Sequence, residues 1–337
     1  MRSFEYLSPT AKEQAIGLLG NNWDAEVLAG GTDLLALMKD DVVAPMRLVN
    51  IKHITGMDSI TYTPKGLRIG ALAKLQDVAD NADVHSHFST LAVVVDEAAS
   101  PQIRHMATMG GNLCQRPRCW YFRNGYGLLA MKDGKSLVTD GDNRYHAILD
   151  NDGLAKFVSP STIAPMLIAL GAKVRLQGPN GPREIDLERF YVVPQNESER
   201  EHDLKPSEIV TEVFVPAMAA RTRTGYYEVR QKAAFDWPLA TASVVLQMDG
   251  NVVKSARVVM GHVAPKPWVS EEAADALVGK PLSESTADAA GKAAVGTAKP
   301  LSRNAYKVQL ARVAVKRALM NTTGYSLMSS PVTKGGA

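Results

Sequence analysis

Apolar positions in the first two-thirds of the chain fall into short runs that alternate between two periods. In residues 10–20, Ile16 and Leu19 share one helical face, Thr10 stands at the cap, Glu13 takes the capping-box position and Gly20 supplies the stop. This predicts an amphipathic helix. Glu26-Val27-Leu28-Ala29 predicts a strand and residues 34–38 a helix. Short β-branched runs follow at 47–51, 60–62 and 67–71, the last two separated by Pro64 and Gly66 in hairpin order. Further helices are predicted at 75–79, 90–100 and 165–172, and strands at 173–176 and 209–215. Alternation of this kind indicates mixed α/β layers.

Residues 216–224 read as a linker, and the pattern changes beyond it. Residues 226–230, 242–248 and 256–260 alternate like antiparallel strands, with a hairpin signal at Asp249-Gly250. Helices are predicted at 271–277 and 302–320, and the alanine-rich residues 286–298 are read as helical from their propensity. The fold class is therefore α+β. The expected domains are 1–218 and 222–325, followed by a tail at 326–337 expected to be disordered. The first divides into subdomains of about 1–55 and 56–218, with an insert at 114–156 where Arg, Gly and aromatic residues crowd together without either period.

Composition narrows the function without naming it. At 337 residues, 45% hydrophobic and 22% charged, the chain is that of a globular protein with more than one core. A net charge of +3 and the lack of a basic run interleaved with aromatics argue against nucleic-acid binding. Met1-Arg2-Ser3-Phe4-Glu5-Tyr6 has no apolar export region, and no stretch approaches the roughly 20 apolar residues of a membrane span. A soluble, cytoplasmic chain without membrane insertion is expected, unless an exported partner carries it to the periplasm. Cys114 and Cys119 are too few for a disulfide framework or a thiolate-only metal site, so reduced thiols and no metal are expected.

Candidate chemistry concentrates at two glycine pairs, Ala29-Gly30-Gly31-Thr32-Asp33 and Thr108-Met109-Gly110-Gly111-Asn112. Paired glycines remove side chains where the backbone turns, so that main-chain N–H groups can converge on a phosphate beside a helix start. Either pair alone is equally well explained as a tight turn that binds nothing. Neither has the spacing of a Rossmann fingerprint or a P-loop. His105, beside the second pair, reads as structural, and His146 with the two cysteines makes only a scattered donor set.

Five motifs in order carry a resemblance that spans nearly the whole chain. They are Ala29-Gly30-Gly31-Thr32-Asp33-Leu34, Gln102-Ile103-Arg104 with Thr108 to Leu113, Ala164-Pro165 with Ala169-Leu170-Gly171-Ala172, Arg230 to Asp236, and Gly261 to Trp268. Together they resemble the FAD-binding subunits of the molybdenum hydroxylases, the medium subunits of the xanthine dehydrogenase and carbon monoxide dehydrogenase family. The resemblance implies a two-subdomain FAD-binding fold of the vanillyl-alcohol oxidase (PCMH) type and a carbon monoxide dehydrogenase flavoprotein C-terminal domain of three antiparallel strands with helices. It implies FAD as cofactor and an oxidoreductase heterotrimer, in which a molybdopterin-binding large subunit oxidises substrate and a small subunit with two-iron clusters relays electrons to the flavin. The cofactor contacts it implies are Leu28, Ala29, Gly30, Gly31, Thr32, Asp33 and Leu34 at the first pair. Ile103, Thr108, Gly110, Gly111, Asn112 and Leu113 serve at the second, with Thr162, Lys232 and Asp236 beyond. Thr162 stands where many relatives have Asp. No residue of this chain is assigned a catalytic role.

The run from Gly110 to Phe122 resembles the insert of 4-hydroxybenzoyl-CoA reductase and aldehyde oxidoreductase flavin subunits, where four cysteines hold a four-iron cluster. Cys119 matches the first of these, while residues 131–138 and 156–158 supply no cysteine. One thiolate cannot hold a cluster that takes four. The insert is thus expected to persist without its cluster, and its aromatic and arginine residues to dock a partner or shield the flavin. Two other readings stay open: a stand-alone FAD oxidoreductase of the vanillyl-alcohol oxidase type, and an assembly subunit without flavin.

Overall fold

A computed structural model of the chain describes residues 1–231 and 236–323; Lys232 and the tail predicted at 326–337 lie outside the described residues. The chain opens with β1 (Glu5–Leu7), α1 (Lys12–Leu19), β2 (Ala25–Leu28), α2 (Leu34–Lys39) and β3 (Arg47–Asn50). The three strands form a parallel sheet in the order β1-β3-β2. Its central strand buries Leu48 and Val49, and α1 covers one face with Ala15, Ile16 and Leu19. Thr10 does not cap that helix. The N-cap is Ala11, which has no side-chain acceptor, and the Thr10 N–H instead donates to Gln14 Oε1 at 3.3 Å.

The next elements are β4 (Ile60–Thr63), β5 (Gly66–Gly70), α3 (Leu75–Ala79), α4 (Ala82–His87), α5 (Ser89–Asp96), α6 (Pro101–Arg104) and α7 (Met109–Leu113). The insert contributes only α8 (Trp120–Arg123), β6 (Met131–Lys132) and β7 (Lys135–Ser136). After it come α9 (Ala164–Ala169), β8 (Lys173–Gly178), β9 (Gly181–Asp186), α10 (Leu187–Phe190) and β10 (Ile209–Pro216). A second sheet, antiparallel throughout, has the order β4-β5-β10-β8-β9. Leu67 and Ile69 of β5 and Val213 and Val215 of β10 are fully buried in it. Each such aliphatic side chain contributes about 1.5–3 kcal/mol relative to exposure. One large core joins both sheets to α3, α5 and α9.

The last unit comprises β11 (Thr222–Val229), β12 (Ala240–Asp249), β13 (Val252–Gly261), β14 (Trp268–Val269), α11 (Glu271–Asp275), α12 (Glu284–Ala294) and α13 (Tyr306–Asn321). Its strands pair in sequence order, so the described sheet has four strands, the three expected plus the two-residue β14. Small buried residues of α12 and α13, among them Ala287, Ala290, Ala311 and Ala314, let those helices lie close on the sheet.

The insert is folded onto both neighbours. Phe122, Leu128, Leu129 and Phe157 form a small core that takes in Leu37 of α2, while Ile148 and Leu149 enter the core of the last unit. The N–H groups of Ile148 and Leu149 both donate to the Val263 carbonyl, at 2.8 and 3.0 Å. Long irregular chain is held here by burial and by hydrogen bonds to other elements.

Candidate functional site

The first glycine pair lies where β2 meets α2. Gly31 has φ +73°, the left-handed conformation that favours glycine, and its carbonyl accepts from Leu35 N–H at 3.1 Å to close the first helical turn. A Cβ on Gly30 would stand 2.0 Å from the Met106 carbonyl oxygen. Glycine is required there because the backbone leading into the second pair runs directly against the first. Among the described residues, the main-chain N–H groups of Gly30, Gly31, Thr32 and Asp33 donate to no protein acceptor. Four successive free donors beside a helix start form a nest that suits a phosphate or pyrophosphate.

The second pair is no loop. Gly110 and Gly111 sit inside α7, capped by Thr108, whose Oγ1 accepts from Gly111 N–H at 3.2 Å. Met109 and Gly110 N–H go to the carbonyls of Ala73 and Ala71, and Asn112 N–H to that of Thr108. This pair therefore offers a ligand a bare glycine surface and side chains, with few free donors. Asn112 Oδ1 accepts from Ser161 Oγ at 2.7 Å, which leaves its amide NH₂ for another partner.

Two cavities meet at this junction. One, of about 160 Å³, runs along Gly30, Gly31, Leu34, Gly110 and Gly111 towards Trp23 and Arg200. The other, of about 180 Å³, lies between the first two units and the last, bounded by Ile103, Asn112, Thr162, Arg230, Asp236 and Trp237. Thr32, Asp33, Gly111 and Gln115 line both, so the pair forms one elongated cradle. Of the residues singled out in the sequence, Ala29, Gly30, Gly31, Thr32, Asp33, Leu34, Thr108, Gly110, Gly111, Ile103, Asn112, Thr162 and Asp236 line it. Leu28 and Leu113 are core residues and line neither cavity. Gln115, Arg118 and Arg230 stand within the quoted motifs but are not among the expected cofactor contacts, Arg118 being expected to dock a partner or shield the flavin. Arg200 and Trp237 lie outside the motifs, and tertiary folding brings all five to the cradle.

Asp33 does not cap α2, for it has no side-chain bond to that helix. Its carboxylate instead accepts from Arg116 N–H at 2.8 Å and from Arg123 Nη2 at 2.8 Å, and pairs with Arg118 at 3.1 Å. Arg116 turns to the buried Glu201 at 2.5 Å, and Arg123 also holds the carbonyls of Pro117 and Arg116. Arg116, Arg118 and Arg123, expected to dock a partner or shield the flavin, point inward beside the cradle and tie the insert to the first glycine pair. Asp33→Ala leaves two guanidinium groups without their anion, and unfolding free energy is expected to drop by about 3–5 kcal/mol. Urea denaturation with a flavin-retention assay checks this, and wild-type values for both would mean that the knot holds nothing in place.

The two cysteines are free thiols. Burial pushes the Cys114 thiol up to about 12, with Glu201 adding to it. Cys119 Sγ lies 3.1 Å from His146 Nε2. Burial raises that thiol and holds His146 down at about 4, Lys307 helping, so the pair is a neutral S–H···N contact and no activated thiolate. Among the described residues no three His, Cys, Asp or Glu side chains converge as a metal would require.

Comparison with known proteins follows the same two units. Residues 2–218 match the family described as the FAD binding domain in molybdopterin dehydrogenase, and residues 225–322 match the CO dehydrogenase flavoprotein C-terminal domain. The aldehyde oxidoreductase FAD-binding subunit of Escherichia coli (strain K12) is 34% identical over 292 residues, 86% of this chain and 88% of that one. The carbon monoxide dehydrogenase medium chain of Hydrogenophaga pseudoflava is 29% identical over 321 residues, 94% and 96% of the two chains. A structure of carbon monoxide dehydrogenase from that organism, lacking the Mo-pyranopterin moiety of its molybdenum cofactor, superposes with a TM-score of 0.76 at 28% identity, covering 96% of this chain and 98% of that chain.

Proposed function

This chain belongs to the family of FAD-binding domains of molybdopterin dehydrogenases, and from that membership we propose that it carries electrons from a partner's iron-sulfur centres, through FAD, to an external acceptor. It is an FAD-binding oxidoreductase subunit of the molybdenum hydroxylase type. The proposed partners are a molybdopterin-binding large subunit and a small subunit with two-iron clusters. The proposed compartment is the cytoplasm, in keeping with two free thiols. No helix among the described residues is long and apolar enough to cross a membrane.

The observation that carries the reading is the run of free N–H groups from Gly30 to Asp33 along the first cavity, its Thr32–Asp33 end on the wall that both cavities share. Those donors and the amide of Asn112 suit the pyrophosphate and ribityl part of FAD, and the cavity beside Thr162 and Asp236 suits its ring. FAD, when bound, accepts and releases electrons. The chain itself binds and orients: the Asp33–Arg118–Arg123 knot fixes the nest, and Arg230, held by Glu97 and Glu228, and Trp237 bring in the last unit from the other side. Domain limits of 1–218 and 222–325 belong to the same proposal.

The purified chain, co-expressed with its partners, is expected to show flavin absorbance, to release one FAD per chain in acid and to hold no iron. About four irons per chain would overturn the expectation of a lost cluster and demand ligands beyond Cys119. A chain without flavin would favour the assembly-subunit reading.

A further inference from the structure

A third cavity, of about 240 Å³, lies between the insert and the last unit. Exposed Trp237 and Gln231 stand at its rim, Trp120, Tyr145 and Phe157 along its walls, and buried His146, His262 and Lys307 at its base. Its size is well above the roughly 150 Å³ that holds a benzene ring, and two fused rings fit it better. Its polar groups are incompletely paired. Both ring nitrogens of His262, Nδ1 of His146 and Nε of Arg118 are buried without a hydrogen bond of good geometry, although the Pro160 carbonyl lies beside His262 and the Asn143 carbonyl beside His146. His262 also has φ +63°, a conformation rare outside glycine.

The unpaired atoms define what the cavity takes. His146 Nε2 faces the Cys119 thiol, so its Nδ1 carries the proton, and Arg118 Nε–H and one nitrogen of His262 are donors as well. Three donors against a single acceptor, the other nitrogen of His262, call for a ligand rich in acceptor oxygens. A free anion is a poorer match, because Lys307 already has three carbonyls (His262 at 2.7 Å, His146 at 3.0 Å, Tyr145 at 3.3 Å) and Arg118 already faces Asp33. Nicotinamide, a cationic ring, is disfavoured beside Arg118 and Lys307. Arg118, Asp236, Trp237 and Pro238 also line the cavity assigned to the flavin ring, so an occupant lies one layer of side chains from it.

We propose that this cavity binds a planar bicyclic acceptor of the quinone class, its ring between Trp120 and Trp237 and its carbonyl oxygens on His262 and Arg118. The redox role rests on the flavin reading: reduced flavin gives up two electrons and two protons, and the quinone takes both on its oxygens to become the hydroquinone. The test titrates the oxidised, FAD-loaded chain with 1,4-naphthoquinone, a neutral probe, by calorimetry. One site per chain is expected, about tenfold weaker in His262→Leu and restored in large part by His262→Gln. Trp237→Ala, on an exposed side chain, is expected to weaken binding about fivefold and serves even if the histidine variants fail to fold. Stopped-flow reoxidation of the reduced flavin by the same probe should slow in His262→Leu and in Trp237→Ala.

No binding to the wild-type chain, or wild-type binding in both His262→Leu and Trp237→Ala, overturns the proposal while leaving FAD binding untouched. Displacement of the probe by NAD also overturns it. A chain that lacks FAD yet binds the probe through His262 upholds the site and overturns its role in electron transfer.

Discussion

Gly30→Ala is expected to yield a folded chain that loses its flavin. The added methyl carbon would lie 2.0 Å from the Met106 carbonyl oxygen and 2.8 Å from its carbon, both main-chain atoms that no rotamer change can move. Relief requires the first glycine pair to separate from the backbone that enters α7, and this widens the gap between the N–H nest and Asn112. Overpacking of this kind costs about 1–3 kcal/mol and more where backbone must shift, which lowers FAD affinity by about a hundredfold if it falls on the bound state. Gly17→Ala is the control. Gly17 lies in α1 with open space around its Cβ position, and the replacement is expected to be neutral or stabilising by up to about 1 kcal/mol. Both variants are compared by flavin content after gel filtration and by thermal unfolding. Equal flavin retention would mean that close apposition of the two pairs is irrelevant to binding.

Much of this site was legible because its parts are local. A strand, two glycines and a helix follow one another within 15 residues, and side-chain period alone locates the nest. Paired glycines suggest a tight turn at the second pair too, yet Thr108 caps a helical turn through Gly111 N–H, and the cap outweighs the cost of glycine in a five-residue helix. β9 escaped notice because it is an edge strand, with only its alternate positions half-buried, and Ile185 as its one β-branched residue. α4 buries only Val84, so no apolar face announces it, although the Asn81 cap was a usable signal. The knot on Asp33 was out of reach for a different reason. Arg123 is 90 positions away in sequence, and an arginine bound for an internal carboxylate looks the same in sequence as one bound for a partner.

The same burial that shapes the third cavity predicts a steep loss of stability in mild acid. Burial holds His262 at about 3, His202 at about 4 and His146 at about 4, with Lys307 adding to the effect on His262 and His146. An unfolded histidine titrates near 6.5, so between pH 6.5 and 4 the unfolded chain binds up to three protons that the folded chain refuses. Stability contributed by these neutral imidazoles is thus complete above pH 6.5 and is lost as pH falls towards 4. Each is worth about 1.4 kcal/mol per pH unit. Glu228 and Asp150 act in the opposite direction, because burial raises their carboxyls and lets the folded chain hold protons that the unfolded chain has released. The net slope expected between pH 6 and 4.5 is about 1.5–3 kcal/mol per pH unit. Lys307, lowered by burial to about 7, acts in a separate window, since from pH 7 to 10.5 the unfolded chain holds the extra proton and stability rises with pH. Urea unfolding of the FAD-saturated chain at several pH values measures the acid slope, and His262→Leu should flatten it by about 1.4 kcal/mol per pH unit. A stability that stays level from pH 6.5 to 4.5 would show that the three imidazoles reach protons from solvent in the folded state. The base of the third cavity would then be wet, and its unpaired donors satisfied by water in place of a quinone oxygen.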